Sequence, residues 1–195
     1  MNHPESGTPP PVRRVGLIDQ VGRNTVREAL QSLVHAGLLS REQGRGTFVI
    51  STSELSGSLA RQLAGGSRHH YLELRLALDS TAASLAALRR TDADIVLLRE
   101  LRTRREASWA TDDPDARAGA DLALHRAIVA ATHNPLYVQL YSSMTDVFAS
   151  HMRDEESGDD DAAHRLHHDL VEAIAQGDAG RATGLVASIF EPFMR

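Results

Sequence analysis

The sequence has no cysteine and no lysine among its 195 residues, and only 4% of them are aromatic. The absence of cysteine excludes disulfides, thiolate zinc sites and cysteine nucleophiles. All 21 basic residues are arginine, which excludes a Walker-type lysine and a Schiff-base lysine. The sequence also lacks a signal peptide and an apolar run long enough to span a membrane, so we expect a cytoplasmic protein without membrane partners.

The composition favours a mainly helical protein. Hydrophobic residues make up 42% of the chain, and alanine and leucine, which favour helix over sheet, dominate them. The length allows one large domain or two small ones. The net charge is −5, but residues 1–50 carry six arginines against four acidic residues, a net charge of +2. An anionic partner is therefore expected to bind in the first fifty residues.

The first fifty residues predict a helix followed by a small hairpin. Residues 1–12 contain four prolines and are expected to form a disordered tail. Residues 24–37 have apolar positions at helical spacing, and residues 38–43 and 47–50 predict two strands around a glycine-rich turn. A helix and a basic hairpin are typical of the second half of a winged helix-turn-helix, whose helix enters a major groove of DNA. The alternative is an ordinary helix and hairpin with solvent-facing arginines.

The start of this helix has two candidates. Thr25 and Glu28 have the spacing of a capping box, whereas Gly22 precedes the helical pattern as another N-cap. Gly37 is suited to end the helix, because glycine readily adopts the left-handed conformation found at helix C-termini.

From residue 69 onward the sequence predicts one helix after another. The serine- and glycine-rich residues 51–68 are expected to form a linker or a short helix. We therefore predict a mainly α fold, with a partial winged helix-turn-helix and its hairpin wing in residues 13–50 and an all-helical bundle in residues 69–195. The predicted helices of the bundle span residues 71–89, 94–108, 116–132, 136–152, 162–176 and 179–190.

Two of these helices carry specific expectations about their faces. The helix at residues 94–108 is rich in arginine, and its charges are expected to form a solvated face. In the helix at residues 136–152, Leu140 is expected to pack inward together with Tyr141 and Met144.

Two predicted helices carry polar groups in the middle of an apolar face. Asp121 and His125 are four residues apart and share a face of one helix, and His167 lies at the centre of the apolar arc of another. An unpaired buried carboxylate is costly, so such groups need partners or a metal ion. One carboxylate and two imidazoles suit zinc, manganese or nickel, with positions left open for a ligand. The alternative is that Asp121 and His125 satisfy each other and only stiffen the bundle.

Residues 22–49, GRNTVREALQSLVHAGLLSREQGRGTFV, resemble the recognition helix and wing of the GntR family of bacterial transcription regulators. In that family two further helices precede this run, and residues 1–21 lack their pattern, so the first part of the domain is expected to be truncated. The resemblance implies a homodimer that reads an inverted repeat in operator DNA. It also implies a set of DNA-contacting residues, which are Arg23, Asn24, Thr25, Arg27, Arg45 and Gly46.

Residues 69–192 resemble the helical FCD effector domain of the FadR subgroup of this family. Its members commonly hold a metal ion with an aspartate and three histidines, and a small carboxylate effector coordinates that ion and meets an arginine on the first helix. Arg75 matches this arginine; a salt bridge to Asp79 is the other interpretation. Three metal-ligand positions match and the fourth is an isoleucine, so water, the effector or His164 would complete the set. In chain order the four positions are Asp121, His125, His167 and Ile189.

These observations predict a ligand-responsive, DNA-binding transcription regulator, not an enzyme, whose helical domain senses a small carboxylate through a bound divalent metal. Two alternatives stay open. The first is a truncated protein that binds ligand and dimerises without holding DNA. The second and less favoured is a helical metalloenzyme that uses two histidines and one carboxylate. It requires a general base and leaves the run at residues 22–49 unexplained.

Overall fold

A computed structural model describes residues 22–43, 46–49, 54–63, 65–111, 113–152 and 160–194. The predicted tail therefore lies outside the described residues. The chain divides into two compact units, Met1–Ala64 and Gly65–Arg195, and the described residues form eight α-helices, a two-stranded sheet and a short 3-10 helix. In chain order the elements are α1 Arg23–His35, β1 Leu39–Glu42, β2 Gly46–Val49, α2 Glu54–Leu63, α3 Arg68–Arg89, α4 Asp92–Trp109, α5 Pro114–Ala130, α6 Pro135–Met152, α7 Asp160–Gln176, α8 Ala179–Phe190 and the 3-10 helix Glu191–Phe193.

In the first unit a helix leads into a hairpin, as predicted. α1 has Gly22 as its N-cap and no capping side chain, so the glycine start is correct and the capping box is not formed. Gly37 has a φ of 75°, the left-handed conformation that ends many helices. β1 and β2 pair antiparallel with Leu39 opposite Val49. The hairpin buries Leu39 and Phe48, so each strand contributes one core side chain.

The segment predicted as a linker or a short helix contains a helix. α2 spans Glu54–Leu63, and the boundary between the two units follows Ala64. Residues 51–53 lie outside the described residues. The short-helix interpretation is therefore confirmed for the described part of this segment.

The second unit is a helical bundle arranged around α3. α3 packs against α5, α6, α7 and α8, while α4 packs against α5 and α7. Several core positions are alanines, whose small side chains let neighbouring helices approach closely. Within the described ranges, every helix is too short or too polar to cross a bilayer. Among the residues whose burial is described, the hydrophobic side chains with no exposed surface are Ala82, Ala83, Ala86, Ala87, Leu124, Ala131, Leu170, Val171, Ala173, Ile174 and Ala182.

Side-chain caps mark the starts of several bundle helices. Each cap satisfies backbone N–H groups that the first helical turn leaves without partners. The helices consequently begin within three residues of the predicted positions. The capping residues are Ser67 with His70 for α3, Thr91 with Asp94 for α4, Asp113 for α5 and Asp178 for α8.

An arginine holds the end of α7 against the end of α3. Arg90 donates from Nε and Nη2 to the carbonyl oxygen of Ala175, at 3.3 and 3.1 Å, and from Nη1 to that of Ala87 at 2.9 Å. Gly177 has a φ of 80°, and a Cβ there would lie 2.9 Å from Nη2 of Arg90. The glycine therefore leaves room for a guanidinium that caps two helices at once.

α6 departs from its predicted inner face. Tyr141 and Met144 are buried, as expected, but Leu140 is 40% exposed, so the prediction for Leu140 is wrong. α6 packs against α5 and α3. These two helices leave Leu140, on the edge of the broad apolar arc of α6, partly uncovered.

Candidate metal centre

α5 presents an aspartate and a histidine to the core. The side chain of Asp113 caps this helix, and Pro114 occupies its first turn. Asp121 is 7% exposed and His125 is 2% exposed. The prediction that both side chains point inward is confirmed, and both polar groups need partners in the core.

α7 brings a third group to the same point. His167 is buried, and its Nε2 lies 3.4 Å from Oδ1 of Asp121. Nε2 of His125 lies 3.7 Å from Oδ2 of the same carboxylate. The ligand atoms of the three residues all lie within 4.8 Å of one another. The predicted convergence of two helices on one point is therefore confirmed as geometry.

The hydrogen bonds of the two imidazoles orient their free nitrogens toward Asp121. Nδ1 of His167 lies 2.7 Å from the carbonyl oxygen of Ala163, so Nδ1 carries the proton and Nε2 carries a lone pair. Nδ1 of His125 lies 3.1 Å from Oδ2 of Asp79, which assigns the same tautomer to this ring. Nε2 of His167 is buried without a hydrogen-bond partner among the described residues. Two imidazole lone pairs and one carboxylate form a donor set that fits a divalent cation.

Arg75 on α3 joins the cluster. Its guanidinium is 4% exposed; Nε lies 3.2 Å from Oδ2 of Asp79 and Nη2 lies 3.1 Å from Oδ2 of Asp121. The ring of Phe190 lies 5.3 Å from the guanidinium carbon. The predicted salt bridge to Asp79 is therefore confirmed, and the same side chain also reaches the candidate metal ligand.

Arg105 on α4 is a member of the cluster that sequence reasoning missed. The sequence predicts a solvated face for the charges of this helix, yet Arg105 is 3% exposed, so the prediction is wrong for this residue. Its Nε donates to Oδ1 of Asp121 at 2.7 Å, its Nη1 donates to Nδ1 of His164 at 3.3 Å, and its guanidinium lies 4.2 Å above the ring of Trp109. Arg105 follows the buried Leu98 by seven residues, a spacing that places both side chains on the same face of a helix. This spacing is the sequence signal that could have identified Arg105 as buried.

The cluster favours ionised carboxylates and a neutral imidazole. Burial alone would raise the pKa of Asp121, but the adjacent imidazoles and guanidiniums outweigh it and hold this pKa well below 3.8. The pKa of Asp79 is lowered in the same way against its burial. Burial lowers the pKa of His167 below 6.5. Deprotonated ligands are the form that metal binding requires.

The remaining candidate ligands stand apart from the three-residue group. Nδ1 of His164 accepts a hydrogen bond from Arg105, and its ring makes an edge contact with Trp109 at 5.5 Å. Ile189 is on α8, directly before Phe190, and its aliphatic side chain supplies no ligand atom. Within the described residues, the protein therefore offers three ligands at this point, which leaves positions for water or a bound molecule.

The residues predicted to contact DNA belong to the first unit. Asn24, Thr25 and Arg27 lie exposed in the first turns of α1. Arg23 begins that helix and Gly46 begins β2, with a φ of 120°. Arg45 lies outside the described residues. The DNA-contacting role of all six remains a prediction.

Comparison with known protein families matches both units. The model described as "FCD domain" matches residues 70–191, and the model described as "Bacterial regulatory proteins, gntR family" matches residues 10–49.

Curated relatives are named as regulators. The chain is 30% identical over 187 residues to the putative L-lactate dehydrogenase operon regulatory protein of Escherichia coli (strain K12), covering 89% of this chain and 71% of the relative. It is 29% identical over 174 residues to the HTH-type transcriptional regulator LutR of Bacillus subtilis (strain 168), covering 84% and 78%. It is 33% identical over 135 residues to the Uxu operon transcriptional regulator of E. coli, covering 68% of this chain and 52% of the relative. These relatives are transcription regulators, so the enzyme alternative is not supported.

Solved structures share the fold. The Streptococcus agalactiae GntR structure superposes with a TM-score of 0.63 at 24% identity, covering 90% of this chain and 82% of that one. E. coli McbR/YncC superposes with a TM-score of 0.57 at 20% identity, covering 88% and 82%. The family models and the relatives lead to one conclusion: this chain belongs to the GntR family of bacterial regulatory proteins and carries an FCD domain.

Proposed function

We propose that this chain is a homodimeric, ligand-responsive regulator that binds operator DNA and whose helical unit senses a small carboxylate through a divalent metal ion. The observation that carries this proposal is the buried convergence of Asp121, His125 and His167 beside the guanidinium of Arg75. A purely structural cluster would satisfy its own polar atoms. Here Nε2 of His167 is buried near the other ligand atoms and has no hydrogen-bond partner in the described part of the chain.

The donor set favours zinc, manganese or nickel over calcium or magnesium. Two imidazoles and one carboxylate are ligands of borderline divalent cations, whereas calcium and magnesium take oxygen ligands. Asp79 supports this set, because its carboxylate accepts a hydrogen bond from Nδ1–H of His125 and so orients the ring. When bound, the ion would supply a Lewis-acidic position for an anionic ligand.

Arg75 supplies the recognition of the carboxylate. A guanidinium presents parallel N–H groups that match the two oxygens of a carboxylate, and this one is buried within the same cluster. The name of one relative refers to the operon of L-lactate dehydrogenase, and lactate is a small 2-hydroxycarboxylate. We therefore take small organic acids as the effector class.

The first unit is proposed to read DNA. α1 exposes Asn24, Thr25 and Arg27 at its N-terminal end, where recognition helices contact base edges and phosphates. Effector binding would shift the dimer between two arrangements, and this requires the effector to have different affinities for them.

DNA binding by the 195-residue chain tests this proposal. In fluorescence anisotropy with duplex from the upstream region of its own gene, we expect a specific complex whose affinity falls steeply with salt. Arg27→Ala should weaken it and reduce the salt slope by about one. Arg104→Ala, which removes an exposed arginine of the helical unit, is the matched control and should change neither. A folded dimer that binds no better than to random duplex contradicts the regulator hypothesis and favours the ligand-binding alternative.

Metal binding is tested with neighbouring histidines of α7. In calorimetric titrations of metal-free protein with zinc, we expect one ion per chain. His167→Gln should weaken zinc binding by more than the roughly 10- to 100-fold typical of losing a supporting outer-shell group. His168→Gln removes an exposed histidine and should leave the affinity unchanged. Equal affinities of the two variants, or no saturable binding, would exclude the metal at this site.

A further inference from the structure

We infer that Arg105 is a second anion-binding residue of the helical unit and that the effector carries two acidic groups. This inference rests on the proposed function, because it concerns the ligand of the same site. It differs from the assignment of Arg75 in naming the charge class of the effector and the residue that selects it.

The guanidinium of Arg105 has more N–H groups than hydrogen bonds to the described residues. A guanidinium carries five N–H groups, and Arg105 is 3% exposed. Among the described residues its hydrogen-bond partners are Asp121, through Nε, and His164, through Nη1. Nη2 donates to no described residue. Nη2 is also absent from the fully buried unpartnered atoms of the described residues, so its N–H groups can be reached by a bound oxyanion.

The position of Arg105 relative to Arg75 suits a ligand with two acidic ends. Arg105 forms an ion pair with Oδ1 of Asp121, and Arg75 forms one with Oδ2 of the same carboxylate. The two guanidiniums therefore flank one carboxylate from its opposite oxygens. Trp109 supports the plane of the Arg105 guanidinium from one face, which restrains it in a fixed orientation.

The buried charges also predict a dianion. Arg75 and Arg105 contribute two positive charges, and Asp79 and Asp121 contribute two negative charges. All four side chains are buried, so these charges balance one another within the core. Metal ligation requires both imidazoles to be neutral, so a bound divalent ion would raise the charge of the cluster to +2. A dicarboxylate restores neutrality, whereas a monocarboxylate leaves one uncompensated buried charge, which is costly. Without Arg105 the same count would favour a monocarboxylate.

Calorimetry on the zinc-loaded full chain tests this inference with matched acids. The probes are malonate, succinate and glutarate, each paired with its monoamide, which has the same length and one charge fewer. We expect at least one diacid to bind about tenfold or more tightly than its monoamide. Arg105→Met should remove that preference, because it keeps an unbranched stem against Trp109 without the charge. Arg104→Met, on the exposed neighbour, should retain it.

The outcomes separate this inference from the proposed function. Equal binding of diacid and monoamide by the wild type, or a preference that survives in Arg105→Met, overturns the role of Arg105 while the carboxylate site stands. Zinc-loaded protein that binds no acid of either class overturns the carboxylate function and the inference together. If Arg105→Met does not fold, Arg105→Lys is the deciding variant. It keeps the charge without the planar fork and should retain the diacid preference with weaker binding.

Discussion

Replacing Asp121 with asparagine is expected to lower the free energy of unfolding by about 3–5 kcal/mol, the cost of breaking a buried ion pair by removing one partner. Asp121 accepts hydrogen bonds from Arg105 at 2.7 Å and from Arg75 at 3.1 Å. Asparagine keeps the shape of the side chain but removes its charge. Two buried guanidiniums are then left with one carboxylate, that of Asp79.

Urea denaturation of metal-free protein at fixed concentration measures this loss. Asp169→Asn is the control, since Asp169 forms exposed ion pairs with His168 and Arg181 that are worth about 0–1 kcal/mol. Adding Arg105→Met to Asp121→Asn should recover part of the loss, because it removes the excess positive charge. If Asp121→Asn alone changes the free energy of unfolding by less than about 1 kcal/mol, that result would contradict a desolvated cluster.

Replacing Leu124 with alanine is expected to lower the free energy of unfolding by about 2–5 kcal/mol, because the deletion leaves a cavity as well as removing buried apolar surface. Leu124 has no exposed surface and directly precedes His125 on α5. α5 packs against α3, α4 and α6, so a cavity there lies close to α3 and α4, which carry Arg75, Asp79 and Arg105.

The same denaturation experiment checks this prediction. Leu136→Ala is its matched control, because Leu136 is 75% exposed and surface substitutions usually change stability by about 0.5 kcal/mol or less. Similar losses for the two variants would mean that α5 is not packed in the core as described. A normal zinc affinity in the Leu124→Ala variant would show that the ligand atoms tolerate this cavity.

Sequence patterns predicted the helices of the bundle and three of the polar residues in its core. Helical periodicity identified the six helices of the second unit, and their boundaries follow from local capping residues and the glycine at position 177. The same periodicity marked Asp121, His125 and His167 as inward-facing. The error at Leu140 has the same origin, because periodicity identifies an apolar arc but not how much of that arc a neighbour covers.

The sequence by itself determined the inward position of Asp121, His125 and His167, since the positions of side chains around a helix follow from local geometry. It also excluded lysine and cysteine chemistry outright. Only the tertiary structure decided that the inward faces of α3, α4, α5 and α7 meet at one carboxylate. It likewise decided that Asp79 orients His125 and that Arg105 is buried among them. These contacts join residues far apart in the chain, and their register depends on how side chains interlock between helices, which no local pattern encodes.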